Sequence, residues 1–303
     1  MSSAIEIRSE GKVDSRTSDL IARALEIEAA DVKASGQLGF MARALAQTTL
    51  PHSKVDNNEF ERTNGIYTLS IHAPRKVGLP YGAIPRILTA WISTEAVIKK
   101  SPDLVLGNSL RDFMSKLGLS NNGGKRGDIT RLKSQARSLF SSVVSIIEDD
   151  EKAHNAFGVE NIMMVRGAQL LWNPRKPDEA GLFDSHLSLT EDFFKMITDR
   201  PVPIDLRVLH SLRHSPLAMD IYVWSVYRLF ITRRDVLIPW LSLKGQFGAN
   251  YAATPRGRLD FKREFIKRLN EVIVFYPQAN IEPRKDGLLL APSTPHIPPK
   301  ICS

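Results

Sequence analysis

One pattern occurs twice in this chain, and each occurrence ends in a basic helix. The first runs Trp91, Ser109-Leu110, Phe113-Met114, Arg126-Gly127, Ile129-x-x-x-Lys133 and Leu139. The second runs Trp224, Ser242-Leu243, Phe247, Arg256-Gly257, Leu259-x-x-x-Arg263 and Leu269. The offset is 133 residues from Trp91 to Trp224 and from Ser109 to Ser242, then 130 from Arg126 to Arg256. A constant offset followed by a short deletion in a loop is the mark of an internal duplication. It constrains the fold strongly, because the two stretches must then share one architecture.

The helical period supplies that architecture. Pro85 opens a helix running to about Lys99, with Ile84, Leu88, Trp91 and Ile92 inward. Ser109 caps a short helix, and a loop spans Gly118–Gly127. Asp128 then caps a basic helix whose Ile129, Leu132, Ala136, Leu139 and Val143 share one face. Two β-rich runs, Val143–Ile147 and Ile162–Trp172, read as a hairpin wing after it. In the second copy, Pro216 starts a helix to about Thr232, a short helix covers 239–247, and a basic helix covers 257–274 with Leu259, Ile266, Leu269 and Ile273 inward. Asn280–Pro292 folds back at Asp286-Gly287 as the second wing. Upstream, residues 15–48 read as helix broken near Ser35-Gly36, and residues 59–72 read as a hairpin around Asn64-Gly65. Pro201 and Pro203 mark a link between the copies. The expected fold is α+β, mostly helical: two tandem winged-helix domains related by duplication. The expected divisions are 1–50 (N-terminal helical segment), 51–180 (first winged helix) and 181–303 (second winged helix with a Pro-rich tail).

The basic charge lies where the repeated helix lies. Residues 109–140 hold seven Lys/Arg against two Asp/Glu, whereas residues 1–50 hold six against seven. DNA binding needs cations for phosphates and forked donors for base edges. Lys125, Arg126, Arg131, Lys133 and Arg137 are the candidates in the first copy; Arg256, Arg258, Lys262, Arg263 and Lys267 are those in the second. One basic amphipathic helix is also what a solvated surface helix looks like. Two at matching positions point to duplex DNA.

Other chemistries find little support. The only cysteine, Cys302, leaves no disulfide framework or thiolate cluster and fits a reducing cytoplasm. The opening Met-Ser-Ser-Ala-Ile-Glu-Ile-Arg lacks the apolar run expected of a signal peptide, and apolar stretches such as Val143–Ile147 and Val272–Tyr276 are too short for a membrane. Gly118 and Gly123 have P-loop spacing, but Gly124 occupies the Lys position, so the register fails. None of the seven histidines lies two residues from another, as a metal-dependent nicking initiator requires. Glu148-Asp149-Asp150-Glu151 reads as a solvated turn. His210-Ser-Leu-Arg213 looks like the His-x-x-Arg box of tyrosine recombinases, yet no Gly-His pair follows it and Pro216 interrupts the helix. The competing reading places His210 and His214 at a helix C-terminus, where the dipole favours partial positive charge. No cofactor, metal or catalytic residue is expected.

Several separated motifs between about residues 50 and 298 resemble the plasmid-encoded RepA replication initiators. In the first half they are Ile84-Pro-Arg-Ile-Leu-Thr-Ala-Trp91, Leu106-Gly-Asn-Ser-Leu110, Phe113-Met114 and Gly123-Gly-Lys-Arg-Gly-Asp-Ile-Thr-Arg-Leu132. In the second they are Pro203-Ile-Asp-Leu-Arg207, Ser215-Pro-Leu-Ala-Met-Asp-Ile-Tyr222, Leu237-Ile-Pro-Trp240, Gln246-Phe-Gly248, Asp260-Phe-Lys-Arg263 and Leu288-Leu-Leu-x-Pro-Ser293. The resemblance implies a non-enzymatic initiator that binds repeated sequences at a plasmid origin, promotes opening of adjacent AT-rich DNA, and recruits the host initiator and replicative helicase. It also implies a homodimer that represses its own gene. The alternatives are a tyrosine-recombinase-like enzyme and a winged-helix transcriptional repressor or partition protein.

Overall fold

The computed structural model describes residues 15–298, apart from 48, 65–66, 108, 121, 123, 125–126, 151–155, 170–184 and 249. In chain order the elements begin with α1 (Ser15–Glu28), β1 (Leu38–Met41), α2 (Arg43–Gln47), β2 (Glu59–Asn64), β3 (Tyr67–His72) and α3 (Ala83–Lys99). Then come β4 (Asp103–Gly107), α4 (Leu110–Lys116), α5 (Asp128–Phe140), β5 (Val143–Asp150), β6 (Ala156–Met163), β7 (Val165–Gln169) and β8 (Ser185–Leu189). The remainder is α6 (Glu191–Thr198), β9 (Val202–Asp205), α7 (Leu206–Ser211), α8 (Pro216–Ile231), β10 (Val236–Pro239), α9 (Trp240–Phe247), α10 (Pro255–Phe275), β11 (Ile281–Pro283) and β12 (Gly287–Leu290). The fold is mixed, with helices outweighing strands.

The strands form four antiparallel sheets, ordered β1-β9, β2-β3-β5-β6, β4-β8-β7 and β10-β12-β11. Three of these arrangements correct the sequence reading. The stretch 15–48 is not helix interrupted by a break, because β1 pairs with β9 from Leu38↔Asp205 to Met41↔Val202. Pro203, expected in a linker, lies in that ladder opposite Phe40. Val143–Ile147 does pair antiparallel with the start of the second β-rich run, as Val143↔Met163 and Val144↔Ile162, but within a larger sheet than a lone hairpin. It belongs to β5, which lies between β3 and β6 in the four-stranded sheet. After β5 and β6 the chain continues into β7 and β8, which pair antiparallel. Their sheet crosses the expected division at 180/181, since β8 pairs with β4 from Asp103↔Ser188 onward.

The central helices α3 and α8 are not amphipathic as read. From Ala83 to Thr94 every residue of α3 is buried, and α8 buries ten residues, including Tyr222 and Trp224. A helix apolar on all sides must be surrounded, and these two sit together in the middle of one continuous core. Each carries its tryptophan edge-on against a phenylalanine of the following short helix. Trp91–Phe113 stand 5.1 Å apart at 86°, and Trp224–Phe247 stand 5.6 Å apart at 86°. Such pairs are favoured by the ring quadrupole beyond their buried area.

A buried ion pair joins α3 to α8. The Arg86 guanidinium sits in a complete cage. Nε and Nη2 donate to Asp220 Oδ1 and Oδ2 at 2.7 and 2.6 Å, and Nη2 also donates to the Leu50 carbonyl at 2.7 Å. Nη1 donates to the carbonyls of Gly82 and Pro51 at 2.7 and 3.2 Å. All five guanidinium hydrogens are thus used. His52 Nε2 adds a 2.8 Å bond to Asp220 Oδ2. Burial works to raise the Asp220 carboxyl, but the charge and hydrogen bonds of Arg86 and His52 hold it below the usual range. Close by, Arg62 is only 1% exposed and rests over the Phe60 ring at 4.5 Å, with none of its three nitrogens hydrogen-bonded among the described residues. Burial lowers its pKa to about 10.

Candidate nucleic-acid interface

The two basic helices start differently. In α10 the Thr254 hydroxyl accepts from Gly257 N at 3.1 Å and Pro255 occupies the first turn, a well-formed N-terminus. Gly257 is required there, because a Cβ would collide with the Ala252 carbonyl oxygen. In α5 the cap is Gly127, which offers no side chain. Asp128, expected to be that cap, is instead the first helical residue. Its carboxylate gathers the preceding loop by accepting from the Ser120 amide and hydroxyl. Asn122 Oδ1 in turn accepts from Asp128 N at 2.9 Å.

Their buried faces fix which cations point outward. In α5 the inward residues are Ile129, Leu132, Ala136 and Leu139, as read from the sequence. In α10 they are Phe261, Phe265, Leu269 and Val272. The expected inward set is corrected here: Leu259 is 65% exposed, and Ile266 and Ile273 are only partly buried. Aligning the helices on Arg-Gly, at an offset of 130, places exposed Leu259 on buried Ile129. At that register Leu132 and Ala136 fall on Lys262 and Ile266 rather than on the buried Phe261 and Phe265. Three large aromatic rings (Phe247, Phe261 and Phe265) fill the space behind α10, with Phe247–Phe265 at 5.5 Å and Phe261–Phe265 at 5.6 Å.

In α10 the outward stripe is Arg256, Arg263 and Lys267, at spacings of seven and four. Arg256 and Arg263 are 79% and 76% exposed and bracket Asp260, with Nε–Oδ2 at 3.3 Å and Nη2–Oδ1 at 3.0 Å. Exposed pairs of this kind are worth little, and this one holds the two forks side by side. Arg258 is exposed at the first turn. Lys262 is turned aside and bound to the β11–β12 turn. In α5, Lys133 and Arg137 are exposed on the outward face. Arg131 is 56% exposed but lies on the flank, 3.4 Å from Asp128 Oδ1. Lys125 and Arg126 lie outside the described residues.

The His-x-x-Arg box is occupied with packing. The His210 ring lies where a Cβ on Gly118 would touch it, at 2.8 Å, and Arg213 Nη1 donates to the Gly118 carbonyl at 2.6 Å. Burial, then the charge of Arg213, lowers the His210 pKa to about 4. The expected helix-end stabilisation of a positive charge is therefore overridden at this residue. His214 instead meets Glu271 of α10 at 3.2 Å, and Glu271 also holds Arg16 of α1 and Arg268. The Tyr276 hydroxyl, buried, donates to the Thr294 carbonyl at 2.7 Å. Among the described residues no helix is long and apolar enough to cross a membrane.

The structure is thus a mixed α/β frame that carries two outward basic helices, each backed by a Trp–Phe pair. The family described as "Plasmid encoded RepA protein" matches residues 79–241, a span from just before α3 into α9. The chain belongs to that family and is a replication initiator. No curated protein matches it in sequence. Among solved structures it is similar to a crystal structure of RctB domains 2-3, with 12% identity, a TM-score of 0.48 and coverage of 81% of this chain and 93% of that chain. It is also similar to a selenomethionine derivative of RctB domains 2 and 3, with 10% identity, a TM-score of 0.45 and coverage of 80% and 85%.

Proposed function

We propose that this initiator binds directly repeated duplex DNA at a plasmid origin through two winged-helix units related by duplication. The observation that carries the reading is the repetition of one layout with its basic helix outward. A buried Trp helix is followed by an edge strand, a short helix, a basic helix and two more strands, and both small sheets have the order first-third-second, as β4-β8-β7 and β10-β12-β11. In this reading the first unit runs from α3 to β8, with β5 and β6 as an insertion paired to β2-β3, and the second runs from α8 to β12. The DNA-facing residues are Lys133 and Arg137 in the first unit, and Arg256, Arg258, Arg263 and Lys267 in the second.

Initiation then rests on binding energy used to deform AT-rich DNA, with no covalent change in the DNA. A host initiator and replicative helicase supply ATP-driven unwinding, in the bacterial cytoplasm. A homodimer using the same helices serves as a repressor of the protein's own gene. The test is a titration of the full chain against a duplex carrying the origin repeats and against the same duplex scrambled, at one fixed salt concentration. Preference for the repeats supports the proposal. Equal affinity overturns it, because phosphate attraction does not discriminate sequence.

A further inference from the structure

Lys262 lies in the middle of the basic stretch of α10, yet its ammonium is already engaged. Nζ donates to the carbonyls of Arg284 and Lys285, each at 3.0 Å, and stands 4.8 Å from the centre of the Trp240 ring. Trp240 closes the same arrangement. Its indole N–H donates to the Arg284 carbonyl at 3.0 Å, and its backbone N–H donates to the Asp286 carbonyl at 3.2 Å. The ring is itself fixed edge-on against Phe265 of α10, at 5.9 Å. All three carbonyls of the β11–β12 turn (284, 285 and 286) thus point into one cradle, while the side chains of Arg284 and Lys285 are exposed. Arg284 keeps only an exposed pair with Glu282, at 3.1 Å.

An ammonium has three donors. Two of them are committed here, and an aromatic face stabilises the charge. To give a phosphate more than its one remaining donor, Lys262 would have to release a carbonyl and loosen the turn. A turn ordered before binding loses less conformational freedom on meeting DNA than a loose one. We infer that Lys262 is a positioning residue: with Trp240 it clamps the β11–β12 turn beside α10, so that Arg284 and Lys285 meet DNA phosphates in register with Arg263 and Lys267. This deepens the DNA-binding reading and rests on it.

The test compares wild type with Lys262→Met, Trp240→Phe, Lys285→Ala and the double variant Lys262→Met/Lys285→Ala. Affinity for origin-repeat duplex is measured across a salt series. Hydrogen exchange of the segment 281–290 is measured without DNA, and melting temperature identifies any variant that fails to fold. The clamp predicts that Lys262→Met weakens binding by about ten- to a hundredfold. It predicts that the double variant is no weaker than the weaker single, because both act through one turn. It also predicts that Trp240→Phe, which changes no charge and removes only the indole N–H, weakens binding in the same direction, and that both clamp variants speed exchange in the turn. Multiplying effects of Lys262→Met and Lys285→Ala, with Trp240→Phe binding as wild type and unchanged exchange, would make Lys262 a direct phosphate ligand and overturn the inference. The exchange readout needs no DNA, so loss of repeat preference in wild type would sink the binding proposal while leaving the clamp to be judged on its own.

Discussion

The two basic helices are built to different standards. α10 spans 21 residues, starts on a threonine cap with proline in its first turn, is backed by three phenylalanines, and has its neighbouring turn tied down by Lys262 and Trp240. α5 spans 13 residues, starts on glycine, and depends on Asp128, Ser120 and Asn122 to hold the loop before it. The buried face of α5 carries Leu132 and Ala136, smaller than Phe261 and Phe265 on the buried face of α10. The second unit is thus a preformed surface, and the first relies on its loop and on its contacts with the second. A helix surface ordered in advance binds with less entropic cost, so in the proposed reading α10 is expected to supply more of the affinity than α5.

The joint between the units offers the largest effects. Asp220→Ala strands the Arg86 guanidinium in the core and should lower stability by about 3–5 kcal/mol, read as a fall in melting temperature. Arg86→Met combined with Asp220→Leu should recover most of that, since a buried ion pair replaced by apolar groups of similar volume is often neutral. If Asp220→Ala melts like wild type, the two central helices are not held by this pair.

The contact between α7 and the loop after α4 is pH-sensitive. His210 titrates at about 4 when folded, against roughly 6.5 in an unfolded chain. As pH falls, the unfolded chain takes up this proton first. The stability contributed by neutral His210 is therefore full above about pH 6.5 and is lost on the way down to about pH 4, amounting to about 2–3 kcal/mol. Burial lowers His52 and His296 in the same direction. His210→Asn should flatten the decline of melting temperature between pH 7 and pH 4.5, and an unchanged decline would remove His210 from the account. On the other side of the contact, Gly118 has φ of +61° and no room for a methyl group against the His210 ring. Gly118→Ala should cost about 1–3 kcal/mol.

The smallest effect is expected at Arg131. Its partner Asp128 is a helical neighbour on the flank of α5, so Arg131→Ala should change stability by less than about 0.5 kcal/mol. It should also weaken DNA binding less than Arg137→Ala does. The reverse order would place the DNA on the flank of α5 and sharpen the docking of the first unit.

The layout of helices was legible because caps, prolines and apolar runs mark where helices start and extend. Pro85, Ser109, Ser215-Pro216 and the apolar spacing after each of them locate α3, α4 and α8 within a residue or two. Distant pairing leaves no such mark. Nothing local in Leu38–Met41 or Val202–Asp205 announces that they are partners, and β5 was legible as a strand without its place between β3 and β6. In the site, charge was readable but direction was not. Arg-Gly gave a register that puts Leu259 inward, whereas the packing buries Phe261 and Phe265 and leaves Leu259 exposed. Lys262 looked like its neighbours because its partners are backbone carbonyls, which every residue has. Arg86 and Asp220 read as ordinary helix residues because their meeting depends on how α3 and α8 cross.

The central claim is that both basic helices contact DNA, and salt dependence tests it most directly. Lys133→Ala/Arg137→Ala removes the outward cations of α5, and Arg263→Ala/Lys267→Ala removes two from α10. The affinity of each for origin-repeat duplex is measured across a salt series, beside wild type and with melting temperatures matched. Each lost phosphate contact lowers the slope of log affinity against log salt by about 0.9 for duplex DNA. Both double variants should therefore bind more weakly and with slopes lower by nearly two, with the larger loss of affinity in the α10 pair. A Lys133→Ala/Arg137→Ala protein that keeps wild-type affinity and slope would contradict the account, leaving α5 as a scaffold for a single DNA-binding unit.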